Sequence, residues 1–553
     1  MQDLSKIQDS PYDLIIVGGG INGASAARDA ALRGLKTLLI EKNDFASGST
    51  SWSTRLIHGG LRYLEYFEFK LVRESLRERE ILLNTAPHLV KPIQMTIPIY
   101  KGGRRSYWEI QAGMLLYDVL SFDKTLPNHR MLPAKKLQQL FRSVTSDEVA
   151  GAAQYYDCQV EYAERLCLEN ILAAQAAGAD AFNYVEVSEI RSEGGRVTAI
   201  TCTDLSTGES FTAKLADQGM VINTAGPWVD VVNERGDSRP LTPKRLMGGT
   251  KGSHIIVDPF PGAPSTALYV EAKSDGRPYF IVPWCGMFLI GTTDLRYDGS
   301  LDEIKASNDE VDYLIKETNT VLPMAQLSRN EVRFTYSGVR PLPYTEGTKT
   351  SGITRSHILY DHKEDGIENL VSLVGGKLTT FRQVGEELVD WAYEKRKEAT
   401  PTCQTRYRPF PGAIDAKDPR IQQAIAAYHP RISRQSIDHL FKLYGARAVN
   451  VLSLVDRYPD LGDRIAADLP DIKAQVVYAV ESEMARNLVD FCRRRTVLAM
   501  HANYGLELIP TITEVLARYC GWDSAKCDRQ AKEYREFMEL NCQPDYAMAA
   551  VPA

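Results

Sequence analysis

The chain reads as an α/β protein, with a parallel sheet near its N-terminus, sheet-rich stretches inserted into that sheet and a helical C-terminal region. Two observations predict this. Residues 12–42, YDLIIVGGGINGASAARDAALRGLKTLLIEK, run as strand, glycine turn, helix and strand. Three apolar strands end in glycine at widely separated positions, Gly18, Gly226 and Gly375, as in a sheet assembled from distant parts of a chain. Composition agrees: 553 residues, 44% hydrophobic and 25% charged, suit a globular protein of several domains and exclude disordered and fibrous classes.

In order along the chain, residues 13–17 are apolar and of strand length, 22–33 form an alanine-rich helix, Gly34 ends it, and 36–40 are apolar again before Glu41. Gly18, Gly20 and Gly23 fill the pattern G-x-G-x-x-G. The first permits the tight turn, the second lets backbone approach a pyrophosphate, and the third lets helix pack on strand. Free N–H groups at the helix start hold phosphates. Glu41 is placed to accept from ribose hydroxyls, and its charge argues against a 2′-phosphate. The unit binds a dinucleotide, either NAD or FAD.

A Ser/Thr/Gly-rich loop leads into a charged helix at 69–84. Residues 88–133 mix short apolar runs with Pro and Gly and define no clear element. A helix at 163–177 precedes strands at 181–187 and 196–204, and 220–232 is a strand that breaks at Ala225 and Gly226 into a helix. Short strands fill 250–340. Residues 369–392 are strand, glycine pair and helix, and beyond the Pro-rich 400–411 the pattern is helical. A nicotinamide domain usually closes its sheet in one continuous block; a cofactor clasped by distant segments is hard to release, which favours FAD.

The net charge of −6 gives no basic footprint for nucleic acid. Nine cysteines lie without a C-x-x-C pair or Cys/His cluster, which suggests reduced thiols, a cytosolic setting and no metal site. The first residues lack the apolar core of a signal peptide, and no run has the length of a membrane-spanning helix. The expectation is a cytoplasmic protein that at most leans on a membrane.

The strings VGGGINGASAARDAALRG, STRLIHGGLRYLE, NTAGPWV, KGSHIIV, IGTTD, TYSGVRPL and SLVGGKLTTFR together resemble the FAD-dependent sn-glycerol-3-phosphate dehydrogenases, the aerobic respiratory enzymes. The similarity spans 12–391 in unbroken order. It implies an FAD-binding domain of the glutathione-reductase and D-amino-acid-oxidase type from 1–87, 151–238 and 346–398. It further implies a sheet-based substrate cap from 88–150 and 239–345 and a helical domain from 399–553. The activity implied is oxidation of glycerol 3-phosphate to dihydroxyacetone phosphate, through non-covalent FAD, with electrons passed to membrane quinone. A homodimer is compatible with the sequence, which does not fix the assembly.

The resemblance places His58, Arg62 and Tyr63 of IHGGLRY beside flavin and substrate, and brings His254, Arg340, Arg355 and Lys377 from elsewhere. Arginine suits phosphate through its planar fork. Lys377, behind two glycines at a strand-to-helix turn, is placed to stabilise an anionic reduced flavin. His254 and then His58 are the candidates for the base, because histidine titrates nearest neutral pH. Cofactor contacts are expected from Gly18, Gly20, Gly23, Glu41, Ser49, Thr50, Ser51, Gly60, Leu61, Val187, Ala225, Gly226, Gly375, Gly376, Leu378 and Thr379. Membrane contact is expected at 101–120, from Lys101, Arg104 and Arg105 with Tyr107, Trp108, Ile110, Met114 and Leu115. Two alternatives stand beside this reading: an oxygen-using oxidase of the same fold, acting on glycerol 3-phosphate or on an amine or amino acid, and a non-catalytic flavin-binding scaffold.

Overall fold

The computed structural model describes residues 4, 6–141, 148–347 and 353–544. β1 (Tyr12–Val17) passes through the glycine turn into α1 (Ile21–Leu32) and returns as β2 (Thr37–Glu41), parallel to β1 from Leu14↔Thr37 to Val17↔Ile40. Both strands are buried along nearly their whole length, which is why they read as continuous apolar runs rather than alternating ones. The alanines of α1 are buried because two further helices, introduced below, cross it closely.

The charged helix is α2 (Phe69–Thr85). The stretch without a clear pattern resolves into β3 (Val90–Tyr100), α3 (Tyr107–Leu120) and a strand at Arg130–Pro133. β4 (Val149–Val160) pairs along its length with β3, so the boundary expected at 151 falls inside a strand of the second sheet. α4 (Ala163–Ala176) and β5 (Asp180–Asn183) follow. The single strand expected at 181–187 is divided at Tyr184, whose φ of 59° turns the chain into a hairpin, Val185–Glu193 with Arg196–Asp204. β6 (Ser210–Asn223) is shared: its first half pairs with that hairpin and its second half with β1. β7 (Thr250–Val257) and β8 (Val332–Arg340) pair antiparallel, and β9 (Leu370–Val374) leads to α5 (Phe381–Arg396).

Two sheets result. The first has the order Ile358–Asp361, β9, β6, β1, β2, β5, with β9, β6, β1, β2 and β5 parallel; α1 lies on it between α4 and α5. The second contains β3, β4, β7 and β8 with the short strands of 267–296. Helices Pro419–Tyr428, Arg434–Tyr444, Ala448–Arg457, Ala474–Ser482, Ile509–Cys520 and Ser524–Asn541 form the C-terminal region, and their apolar faces join the same core as α1 and β1. This is an α/β fold with mixed sheets and a helical C-terminal region, as expected.

α3 begins with a capping box between Ser106 and Glu109. Its inner face is Met114 and Tyr117, both buried, and Arg105 is engaged by Glu65 and Glu271, so Met114 and Arg105 are not free for a membrane. Its outward face is instead Trp108 at 73% and Leu115 and Val119 at 60% exposure, and Phe122, just past its end, is 78% exposed. The Leu61–Tyr66 turn packs against α3 and is followed by Phe67, which is 77% exposed. Among the described residues no helix is long and apolar enough to cross a membrane.

Candidate active site

A cavity of about 840 Å³ lies at the carboxyl ends of β1, β2, β6 and β9, where parallel sheets place their ligands, and the second sheet closes it. The glycine turn fits a dinucleotide. Gly18 has φ +107°, and a Cβ there would stand 2.7 Å from the Thr224 carbonyl; at Gly23 it would stand 2.0 Å from the Gly18 carbonyl. Gly23 therefore packs the helix onto the turn without reaching the cavity, while Gly18 and Gly20 line it. Glu41 lines it too. One of its oxygens accepts from the Gly19 N–H at 2.7 Å and the other from the Asn43 N–H at 2.8 Å, so its remaining lone pairs are aimed and available to a ribose. Burial pushes its pKa up, and those two N–H groups oppose the rise.

Of the other cofactor candidates, Ser49, Thr50, Val187, Ala225, Gly226, Gly376, Leu378 and Thr379 line the cavity. Ser51, Gly60, Leu61 and Gly375 are not among its lining residues; Ser51 contributes its carbonyl to two arginines instead. Thr379 ties the distant segments together by accepting the His58 N–H at 3.1 Å.

The catalytic candidates come from both sheets. Arg340, the last residue of β8, donates to Asp294 at 3.0 Å and Thr292 at 2.8 Å. Its partner across the strands on β7 is Thr250, and its guanidinium lies over Gly252 of the same strand, where a Cβ would meet it at 2.3 Å, so glycine leaves the room in which the arginine lies. Arg355 reaches the same Asp294 at 3.5 Å, and its Nη1 is buried without a hydrogen-bond partner among the described residues. Lys377 Nζ is likewise buried and unpartnered, 3.9 Å from the Tyr63 ring centre. Burial lowers its pKa to about 7, against the pull of Glu68 and Glu74. Helix α5 starts at Phe381, so Lys377 precedes the helix by a turn instead of sitting at its first N–H groups.

The two histidines differ. His254 Nε2 bonds to Thr54 Oγ1 at 2.9 Å, its ring lies 4.8 Å from Tyr336, and Nδ1 is enclosed without a partner. Burial, then Arg340 and Arg55, lower its pKa to about 3. His58 is half-buried in the wall, edge-on to Phe280 at 5.9 Å; burial lowers its pKa and Asp157 opposes. Arg62 is the one substrate candidate that does not line the cavity: its guanidinium lies 5.9 Å from the Tyr66 ring centre. Sequence reasoning missed Trp52, Thr54, Tyr184, Phe280 and Thr292, and also Asn487, Val489 and Arg494 of the C-terminal domain, all of which line the cavity.

Comparisons with known proteins agree with this architecture. The family of FAD dependent oxidoreductases matches residues 13–391, and the C-terminal domain of alpha-glycerophosphate oxidase matches 403–527. A glycerol-3-phosphate dehydrogenase of Synechocystis is 61% identical over 99% of this chain and 100% of its own. D-erythritol 1-phosphate dehydrogenase of Brucella abortus is 36% identical over 88% of this chain and 95% of its own. The glycerol-3-phosphate dehydrogenase of Bacillus halodurans, solved with FAD, superposes with a TM-score of 0.76 at 27% identity, covering 97% of this chain and 96% of that one. With the glycine turn and the sheet-end cavity in place, both family models matched and a relative 61% identical over 99% of the chain, this chain belongs to the FAD-dependent glycerol-3-phosphate dehydrogenase family.

Proposed function

We propose that the chain oxidises the secondary alcohol of glycerol 3-phosphate to the ketone of dihydroxyacetone phosphate and passes the electrons to a membrane quinone. The observation that carries this reading is the pair of buried, unpartnered cationic nitrogens, Lys377 Nζ and Arg355 Nη1, in a wall shared with Arg340. A buried donor left without an acceptor is costly, and a phosphate dianion supplies acceptor oxygens to both nitrogens. Bound FAD supplies the acceptor for the hydride that leaves C2. His58 takes the hydroxyl proton: its lowered pKa keeps it neutral at pH 7, and unlike His254 its ring is not enclosed by protein partners. This reverses the order the sequence suggested. His254 holds Thr54 and the Tyr336 ring in place.

The pH profile follows from the two groups. On the acid side, below the ordinary histidine range because burial lowers its pKa, His58 gains a proton and loses its role; above about 7 Lys377 loses the charge that holds phosphate. For the free enzyme kcat/KM is therefore bell-shaped, and Lys377→Arg removes its alkaline limb because guanidinium stays charged. A wild-type kcat/KM that is flat from about pH 6 to about pH 9 contradicts the assignment of Lys377. Because one relative is named for D-erythritol 1-phosphate, both esters are to be compared; the reading requires the higher kcat/KM with glycerol 3-phosphate.

Quinone lies in the bilayer and the substrate in water, so the enzyme must touch both. The apolar face of Trp108, Leu115, Val119 and Phe122, beside exposed Arg104, supports contact with an anionic membrane surface. The wild type is expected to float with anionic liposomes and Trp108→Asp/Phe122→Asp to remain behind. Equal flotation of the two places the contact elsewhere, and a wild type that ignores lipid and reduces oxygen rapidly to peroxide is an oxidase.

A further inference from the structure

The C-terminal domain grips the loop beside the cofactor cavity through three consecutive buried arginines, of which Arg494 lines the cavity itself. Arg493 donates to Glu164 at 2.8 Å and to the Ser51 carbonyl at 3.3 Å, and lies 4.7 Å from the Trp52 ring. Arg494 donates to Asp44 at 2.7 Å and to Asp490 at 2.5 Å. Arg495 grips both oxygens of Asp44, at 2.6 and 2.9 Å. Asp44 and Ser51 belong to the loop that carries Ser49, Thr50 and Trp52 into the cavity wall. That loop holds two non-glycine residues in the left-handed region, Ala46 at φ 64° and Arg55 at φ 59°. Such conformations persist only where the surroundings over-determine them.

The same segment fixes a second part of the wall. Tyr184, also left-handed, donates its hydroxyl to Asp490 at 2.6 Å and accepts from Asn487 at 2.6 Å. Asn487, Val489 and Arg494 themselves line the cavity. Glycine turn and phosphate-binding strands explain how a dinucleotide binds, but they do not explain why a helical domain with no residue among the substrate cations is held to the loop by so many buried charges.

We propose that the C-terminal domain is a retention clamp for the FAD: its 486–495 segment keeps the 44–55 loop and Tyr184 closed against the dinucleotide and thereby sets how slowly the cofactor leaves. The clamp rests on the FAD assignment and not on the choice of substrate or electron acceptor. Removing one of its bonds opens the loop locally and quickens release, while the glycine turn and the substrate cations stay intact.

The test is the rate of FAD release from the full-length holoenzyme, followed as the fluorescence gain of free FAD after dilution, for wild type, Arg494→Gln and Asn487→Ala. His501→Ala serves as a control, since its partners Asp468 and Glu507 lie within the same domain, away from the cavity. Release is expected to quicken about tenfold in Arg494→Gln and about threefold in Asn487→Ala, the range for losing charged and neutral hydrogen bonds. The His501→Ala control is expected to release FAD at the wild-type rate and to keep the wild-type KM for glycerol 3-phosphate within about twofold. Should Arg494→Gln fail to fold, Asn487→Ala decides. Wild-type release rates in Asn487→Ala and in any folded Arg494→Gln, or equal acceleration in His501→Ala, overturn the proposal.

Discussion

His58→Gln is expected to lower kcat by roughly 10²–10⁴-fold, the usual worth of a positioned general base. His58 follows the short strand Leu56–Ile57, and its backbone is clamped by Thr379, so the ring position is set by two segments over three hundred residues apart. Glutamine keeps much of the shape and can donate or accept a hydrogen bond, but it cannot take a proton at neutral pH. The substitution should therefore spare flavin content and KM while the rate falls, which separates lost chemistry from lost binding. His254→Gln should cost much less, because that ring serves Thr54 and Tyr336. Steady-state kinetics with flavin occupancy measured on the same samples checks both; a His58→Gln enzyme with the wild-type kcat removes His58 from the proton transfer.

Arg340→Met is expected to reduce kcat/KM for glycerol 3-phosphate by about 10–150-fold, since a hydrogen bond to a charged group contributes roughly 1.5–3 kcal/mol. Two effects act in the same direction. The guanidinium no longer meets the phosphate, and Asp294 loses its 3.0 Å partner, leaving a less compensated carboxylate beside an anionic substrate. Arg355 still reaches Asp294, at 3.5 Å, so the site should not collapse. Flavin content is expected to stay at the wild-type level, and Arg340→Lys to recover part of the loss. An Arg340→Met enzyme within twofold of wild type would exclude the residue from the phosphate site.

Much of the nucleotide half was legible because its physics is local. A strand of buried residues, a turn that tolerates only glycine and an alanine-rich helix write their pattern into twenty consecutive positions, and the helices at Phe69–Thr85 and Ala163–Ala176 fall within a residue or so of their periodicity. The stretch around β3 and α3 was illegible because its faces are mixed: α3 buries only Met114 and Tyr117, while Trp108 and Leu115 face outward, so no single apolar stripe announces it. The resemblance singled out His58, Arg340, Arg355 and Lys377, and these four line one cavity. It could not say that Arg62 turns toward Tyr66, since Arg62 and Tyr63 differ only in which way a short helical turn points them. Asn487 and Arg494 were invisible, because their part in the cavity depends on a domain contact that leaves no local spacing in the sequence.

The central claim, that the buried cations and His58 serve the oxidation of a phosphorylated alcohol at FAD, is tested most directly by mixing the purified enzyme with glycerol 3-phosphate in the absence of oxygen and following the flavin absorbance near its oxidised maximum. The account predicts that the flavin bleaches fully with one equivalent of substrate, and that unphosphorylated glycerol at the same concentration leaves it oxidised. A flavin that stays oxidised with glycerol 3-phosphate, or is bleached equally well by glycerol, would contradict it.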